Sequence, residues 1–259
     1  MSDAFHSPRL TLTRAHHHIR DFKTMVTDFI NSDPWADIVD KDSNPGQEIY
    51  KIKMTRQIPK DLPCVLFDAT NNLRAVLDQA GHISAVVGKM PRLKAVKFPF
   101  APTEADWRNN IAGGCKDLPA EIRTLFESFK SYEAGNPTLW AVNEIANAKK
   151  HFGLIPFGVG NAIARSQGEI IGSGFFNHIS KGRGDAWDSA KNELIIFSVP
   201  TGTKLKMSGH FTFNVSIDGV EVLRDKSAIG FLDEASHIVE DILLRTETEC
   251  RRLGFISRC

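Results

Sequence analysis

The sequence predicts an α+β fold, a helical bundle packed with an antiparallel β-sheet in the C-terminal half. Three observations carry this. Apolar residues recur at helical spacing through the first 150 or so positions. From residue 153 the period shortens to two, and from 228 it returns to helical. Helices first, strands second and a closing helix describe segregated layers and not alternating βαβ units. One unit over 1–259 is expected, helical over 1–152, β-rich over 153–223 and closed by a helix over 228–254.

Ser7-Pro8 reads as an N-cap followed by proline in the first turn. Leu12, Ala15, Ile19, Phe22, Val26 and Phe29 then recur at alternating spacings of three and four, which predicts one long helix over 8–31. Pro34 ends it. Trp35–Val39 and Gln47–Gln57, separated by a polar turn, read as a hairpin. Leu62, Val65, Leu66, Ala69, Leu73, Val76, Leu77 and Ala80 predict a second long helix over 61–80, with Gly81 disturbing its end. Pro91, Pro99 and Pro102 punctuate a connection, and Thr103 to Asp106 resembles a capping box opening a short helix. Ile122, Leu125, Phe126 and Phe129 mark another helix after Pro119. Asn136-Pro137 caps one that runs to His151.

In the β-rich part, Ile170–Ile179 and Leu194–Val199 read as strands. Phe211, Phe213, Val215 and Ile217 alternate with polar residues up to a hairpin turn at Asp218-Gly219. Phe231, Leu232, Ala235, Ile238, Val239, Ile242 and Leu243 define the closing helix.

The charge balance, 32 Lys+Arg against 31 Asp+Glu for a net +1, gives no global hold on nucleic acid or anionic membrane. The longest apolar runs, such as Leu194 to Phe197, fall far short of the about 20 residues of a membrane span, so no membrane partner is expected. No apolar signal segment follows Met1-Ser2-Asp3. Cys64, Cys115, Cys250 and Cys259 are scattered, with no CxxC pair, which points to cytoplasmic thiols and not to zinc or a disulfide scaffold. No metal or cofactor is expected. His16-His17-His18 sit at adjacent helical positions that point apart, Glu234-x-x-His237 has no second copy, and Gly158-Val159-Gly160 lacks the third glycine of a dinucleotide loop.

Two polar helix stripes are the candidate site. Opposite the apolar face of the second long helix stand Asn71, Arg74, Asp78 and His82. On the helix after Pro137 stand Asn143, Asn147, Lys150 and His151, with Trp140 beside them. Two asparagines one turn apart are poor helix formers, so this stripe is expected to meet polar groups, with Arg74 and Asp78 as the natural partners. Such a network fixes packing. As an active site it would use His151 as acid or base, with Arg74, Asp78 and Lys150 as the other catalytic groups and Asn71, Asn143 and Asn147 binding.

The segments Asp68–Asp78 and Leu139–His151 resemble a family of uncharacterised bacterial proteins. Its members read His-Asn-Leu-Arg-Ser-Ala-Leu-Asp-His in the first segment and Asn-x-x-x-Lys-His-Arg in the second. The Arg-x-x-x-x-His spacing is similar to the signature of HEPN ribonucleases, helical proteins that often act as dimers in toxin and defence systems. In this chain Asn71 and Gln79 stand where the family has histidine, and Phe152 replaces the last arginine. An amide hydrogen-bonds but exchanges no proton near pH 7. The departures favour a non-catalytic interaction or scaffold protein with an unidentified protein partner over a HEPN-like ribonuclease or RNA-binding protein.

A basic-aromatic run, Lys89, Arg92, Lys94 and Lys97 with Phe98 and Phe100, is the one stretch suited to single-stranded nucleic acid, and it makes RNA the alternative partner. The seam-like stripe of the first helix, with Trp107 and Trp140, predicts a homodimer.

Overall fold

The helices and strands follow from where apolar residues must hide. The computed structural model describes residues 3–41, 44–93, 96–151, 157–171, 174–182, 187–188, 190–224 and 226–257. Helix α1 (His6–Asn31) buries Leu12, Ala15, Ile19, Phe22, Val26 and Phe29, the whole of the anticipated stripe. It begins two residues earlier than Ser7-Pro8 implied. Asp3 accepts from the Phe5 backbone amide, Phe5 is fully buried, and Pro8 sits inside the first turn, where a missing N–H costs nothing. The hairpin β1 (Trp35–Lys41) and β2 (Gln47–Met54) forms as expected.

Helix α2 (Leu62–Val87) passes straight through Gly81, seven residues beyond the expected end. A glycine costs a helix interior about 1 kcal/mol. Here the missing side chain is what allows close packing: a Cβ at position 81 would stand 3.3 Å from the Phe126 ring. Buried Ala80, Ser84 and Ala85 carry the helix on past that contact.

Three shorter helices follow. In α3 (Glu104–Gly114) the Thr103 hydroxyl accepts from the Asp106 amide, the anticipated cap. Next is α4 (Ala120–Ser128). In α5 (Pro137–His151) the Asn136 side chain accepts from the Leu139 amide at 3.0 Å. The β-rich part contains β3 (Phe157–Ile170), β4 (Gly174–Gly182), β5 (Trp187–Asp188), β6 (Glu193–Pro200) and β7 (Leu205–Ile217). Helix α6 (Ala228–Arg252), capped by Ser227, closes the chain.

The strands differ from expectation in three ways. They form two sheets, ordered β1-β2-β6-β5 and β4-β3-β7, each antiparallel throughout. The N-terminal hairpin therefore belongs to the same sheet as β6, a pairing across some 150 residues that no local period encodes. Second, the segment read as one strand over 170–179 is split, since β3 ends at Ile170 and β4 starts at Gly174. Third, the turn at Asp218-Gly219 is real, with Gly219 at φ +80, but it leads through a 3-10 turn into α6 and not into another strand.

Helices α1, α2 and α6 pack together, with α5 on the flank of α2. An aromatic seam joins this bundle to both sheets. Phe29 meets Phe213 edge-on, Trp35 at the start of β1 lies 5.3 Å from Phe211, and Trp187 of β5 stacks on Phe211. Buried apolar side chains form one contiguous cluster across helices and sheets. No described helix is long and apolar enough to cross a membrane.

The stripe of α1 is covered by α2 and α6 of the same chain. Trp107 is buried and its Nε1 donates to Ser131 Oγ, while Trp140 is half-buried. The α1 stripe and Trp107 thus pack within the chain itself.

Candidate functional site

The two polar stripes meet. Arg74 reaches from α2 to α5, where its Nη1 donates to Asn147 Oδ1. Asn147 Nδ2 donates in turn to Asn143 Oδ1, one turn back along α5, at 3.2 Å. Asn143 is only 6% exposed, which accounts for an amide where surface propensity would choose Glu or Lys. The Arg74 guanidinium also lies over the Phe100 ring, 5.8 Å from its centroid. Among the described residues its Nε is buried with no hydrogen-bond partner, so the bond to Asn147 carries much of its satisfaction.

Asp78, one turn further along α2, turns to a different segment. Its Oδ1 accepts from the Phe98 backbone amide at 2.9 Å. A connection without regular structure must find partners for its amides, and here a helix side chain supplies one. Arg74 and Asp78 together fasten both α5 and the 96–101 connection to α2. Asn71 stands half-buried one turn before Arg74, and His82 is exposed at the other end of the stripe. The side chains of Lys150 and His151 lie outside the described ones, as do Lys94 and Phe152. The groups in contact are a guanidinium, two carboxamides and a carboxylate that accepts from a main-chain amide, with Asn71 and His82 flanking them on α2. The guanidinium and the carboxamides exchange no proton near neutral pH.

The basic-aromatic run separates in space. Phe98 is 3% exposed, with its ring 4.8 Å from Phe126 and 5.1 Å from Phe100. It is a core side chain and has no face left for a base. Lys89, Arg92 and Lys97 are exposed, the position of solvated cations above a docked loop.

Other polar groups are engaged elsewhere. His16 Nε2 bonds Ser236 Oγ, Glu234 takes Lys226 and Thr138, and His237 bonds the Asp233 carbonyl. Among the described residues no group of three His, Cys, Asp or Glu is placed to hold a metal ion. Burial pushes the Cys115 thiol up to about 12, and burial also raises that of Cys250, which lies 3.5 Å from Ser84 Oγ. Both thiols stay protonated and unreactive at neutral pH. Cys64 is half-buried, and Cys259 lies outside the described residues.

Sequence reasoning missed a groove of about 650 Å³ between α3 and α4. Trp107, Ile111 and Tyr132 line it, with Glu104, Arg108 and Arg123 at its rim. Arg108 beside Glu104 holds that carboxyl below the usual range. Among the described residues none of the stripe lines it. The architecture is thus a helical bundle flanked by two antiparallel sheets and cross-linked by a polar relay. No family model, curated protein or solved structure matches the chain.

Proposed function

We propose that this protein is a non-catalytic interaction or scaffold protein whose polar helix stripes serve packing. The observation that supports it most is the relay from Arg74 through Asn147 to Asn143, beside the Asp78 bond to the Phe98 amide. Arg74 and Asp78 each hold one structural element to another, and Asn143 steadies Asn147 within α5. A catalytic guanidinium or carboxylate would instead turn its hydrogen-bonding edge to a cleft where substrate could sit. The free buried thiols fit a reducing compartment, and on this reading the protein is cytoplasmic with a protein partner.

The competing reading, a HEPN-like ribonuclease using Arg74, Asp78, Lys150 and His151, is tested directly. Purified protein is incubated with mixed single- and double-stranded RNA beside an Arg74→Ala/His151→Ala double variant. The expected result is intact RNA in both reactions. Cleavage by the parent that the double variant abolishes would overturn the scaffold reading.

A further inference from the structure

A second depression, of about 290 Å³, lies where the connection between β2 and α2 passes the start of β3. Three cations line it: Lys53, Arg56 and Lys191. Among the described residues no carboxylate does, in a chain whose overall charge is only +1. Several cations elsewhere in the fold are matched, Arg9 with Glu247, Lys23 with Asp233, Lys226 with Glu234 and Arg252 with Glu249. Lys53 and Arg56 have no carboxylate within 4.0 Å among the described residues, although Lys53 is half-buried. Glu193, opposite Lys53 in the β2–β6 ladder, is taken by Lys51 at 2.9 Å. Lys191 makes a long 3.4 Å pair with Asp188 that is solvated on both sides and yields easily to a stronger anion.

The rest of the lining is apolar. Ile58, Phe157 and Val159 are half-buried there, and Phe157 is steadied from behind by Phe22 with ring centroids 5.7 Å apart. Backbone geometry fixes the rim. Asn192 holds a left-handed φ of +55 while its carbonyl accepts from the Met54 amide at 2.9 Å. Asp218 backs onto the wall, packed against Gly158. Burial raises its carboxyl above the usual range, which lessens its opposition to an incoming anion.

We infer that this groove binds a small organic phosphate, its phosphoryl group held by Lys53, Arg56 and Lys191 and its carbon skeleton laid on Phe157, Ile58 and Val159. Three cations match a dianion with three acceptor oxygens better than a carboxylate. The volume lies at the small end of ligand sites, roughly 300–1,000 Å³, so a mononucleotide-sized molecule is the upper limit. The inference stands apart from the helix-stripe reading, since none of its residues lies on α2 or α5.

Calorimetric titration of the full chain at low ionic strength, with pyrophosphate, AMP and adenosine as probes, tests it. Pyrophosphate and AMP are expected to bind, AMP more tightly, and adenosine not to bind. Lys53→Gln/Arg56→Gln is expected to weaken AMP binding about tenfold or more with the parent's melting temperature retained, while Lys116→Gln, outside the groove, leaves it unchanged. Should the double variant not fold, Lys191→Gln at an exposed position carries the test, with a weakening of several-fold expected. No binding of either phosphate, equal binding of AMP and adenosine, or unchanged affinity in the groove variants would each overturn the assignment.

Discussion

Replacing Phe126 by alanine is expected to lower the unfolding free energy by about 3–5 kcal/mol, the range for deleting a fully buried aromatic ring. Phe126 is 0% exposed, and three elements settle on it. Gly81 of α2 packs against one edge, and Phe98 from the 96–101 connection lies 4.8 Å away. Its own helix, α4, uses it as an anchor together with Ile122. The void could not close easily, because Asp78 holds the Phe98 amide in place from the other side. Urea denaturation followed by circular dichroism measures the loss. A cost below about 1 kcal/mol would mean that these elements repack freely and that the contact at Gly81 does not govern the path of α2.

Lys51→Met is expected to cost a similar about 3–5 kcal/mol, by a different mechanism. Lys51 on β2 bonds Glu193 of β6 at 2.9 Å and also pairs with Asp40 of β1. Glu193 is 6% exposed, so removing the ammonium strands a buried carboxylate, whereas Asp40 stays solvated. A Lys51→Met/Glu193→Leu double variant should recover most of the loss, because neither charge is then buried alone. The pH dependence has a definite sign. Hydrogen bonds to Asp40 first, and then to Glu193, raise the Lys51 pKa above the ordinary 10.5. Its stabilisation is therefore complete below that range and fades as pH rises through the higher folded value. The gap between parent and Lys51→Met should narrow at strongly alkaline pH. A gap that instead widened there would contradict the pairing.

Helix faces were legible from sequence because burial of a stripe is a local matter. All six positions of the α1 stripe are buried, and the caps at Thr103 and Asn136 bond as their residue types require. Continuation of α2 past Gly81 was not legible. A glycine lowers local helix preference, and only the position of Phe126, some 45 residues on, shows why it is tolerated. Strand β3 was hidden for a related reason. Phe157-Gly158-Val159-Gly160-Asn161-Ala162 has small residues and no clean alternation, yet it is the central strand of its sheet, paired on both sides. The partnership of β2 with β6 depends on long-range closure, which leaves no periodic trace.

The convergence of the polar stripes was half legible. Asparagines at positions 143 and 147 break helix propensity, and that signal led to the Arg74 contact. The partner of Asp78 was not legible, because it is a main-chain amide and every residue except proline carries one. Phe98 shows the same limit from the other side. A phenylalanine among lysines reads equally as a stacking platform or a core anchor, and only burial distinguishes them. The two grooves left no sequence signal at all, since residues from separate elements meet only in the folded chain.

The central claim is that Arg74 and Asn147 couple α2 to α5 as structural partners. A double-mutant cycle measures it most directly, with Arg74→Met, Asn147→Leu and the combined variant compared by chemical denaturation. The predicted coupling is about 1–3 kcal/mol, because each single change strands the other's buried hydrogen-bonding group and the combined change strands neither across the interface. Additive effects, with a coupling within about 0.3 kcal/mol of zero, would contradict the account and return both side chains to the surface of an ordinary helix pair.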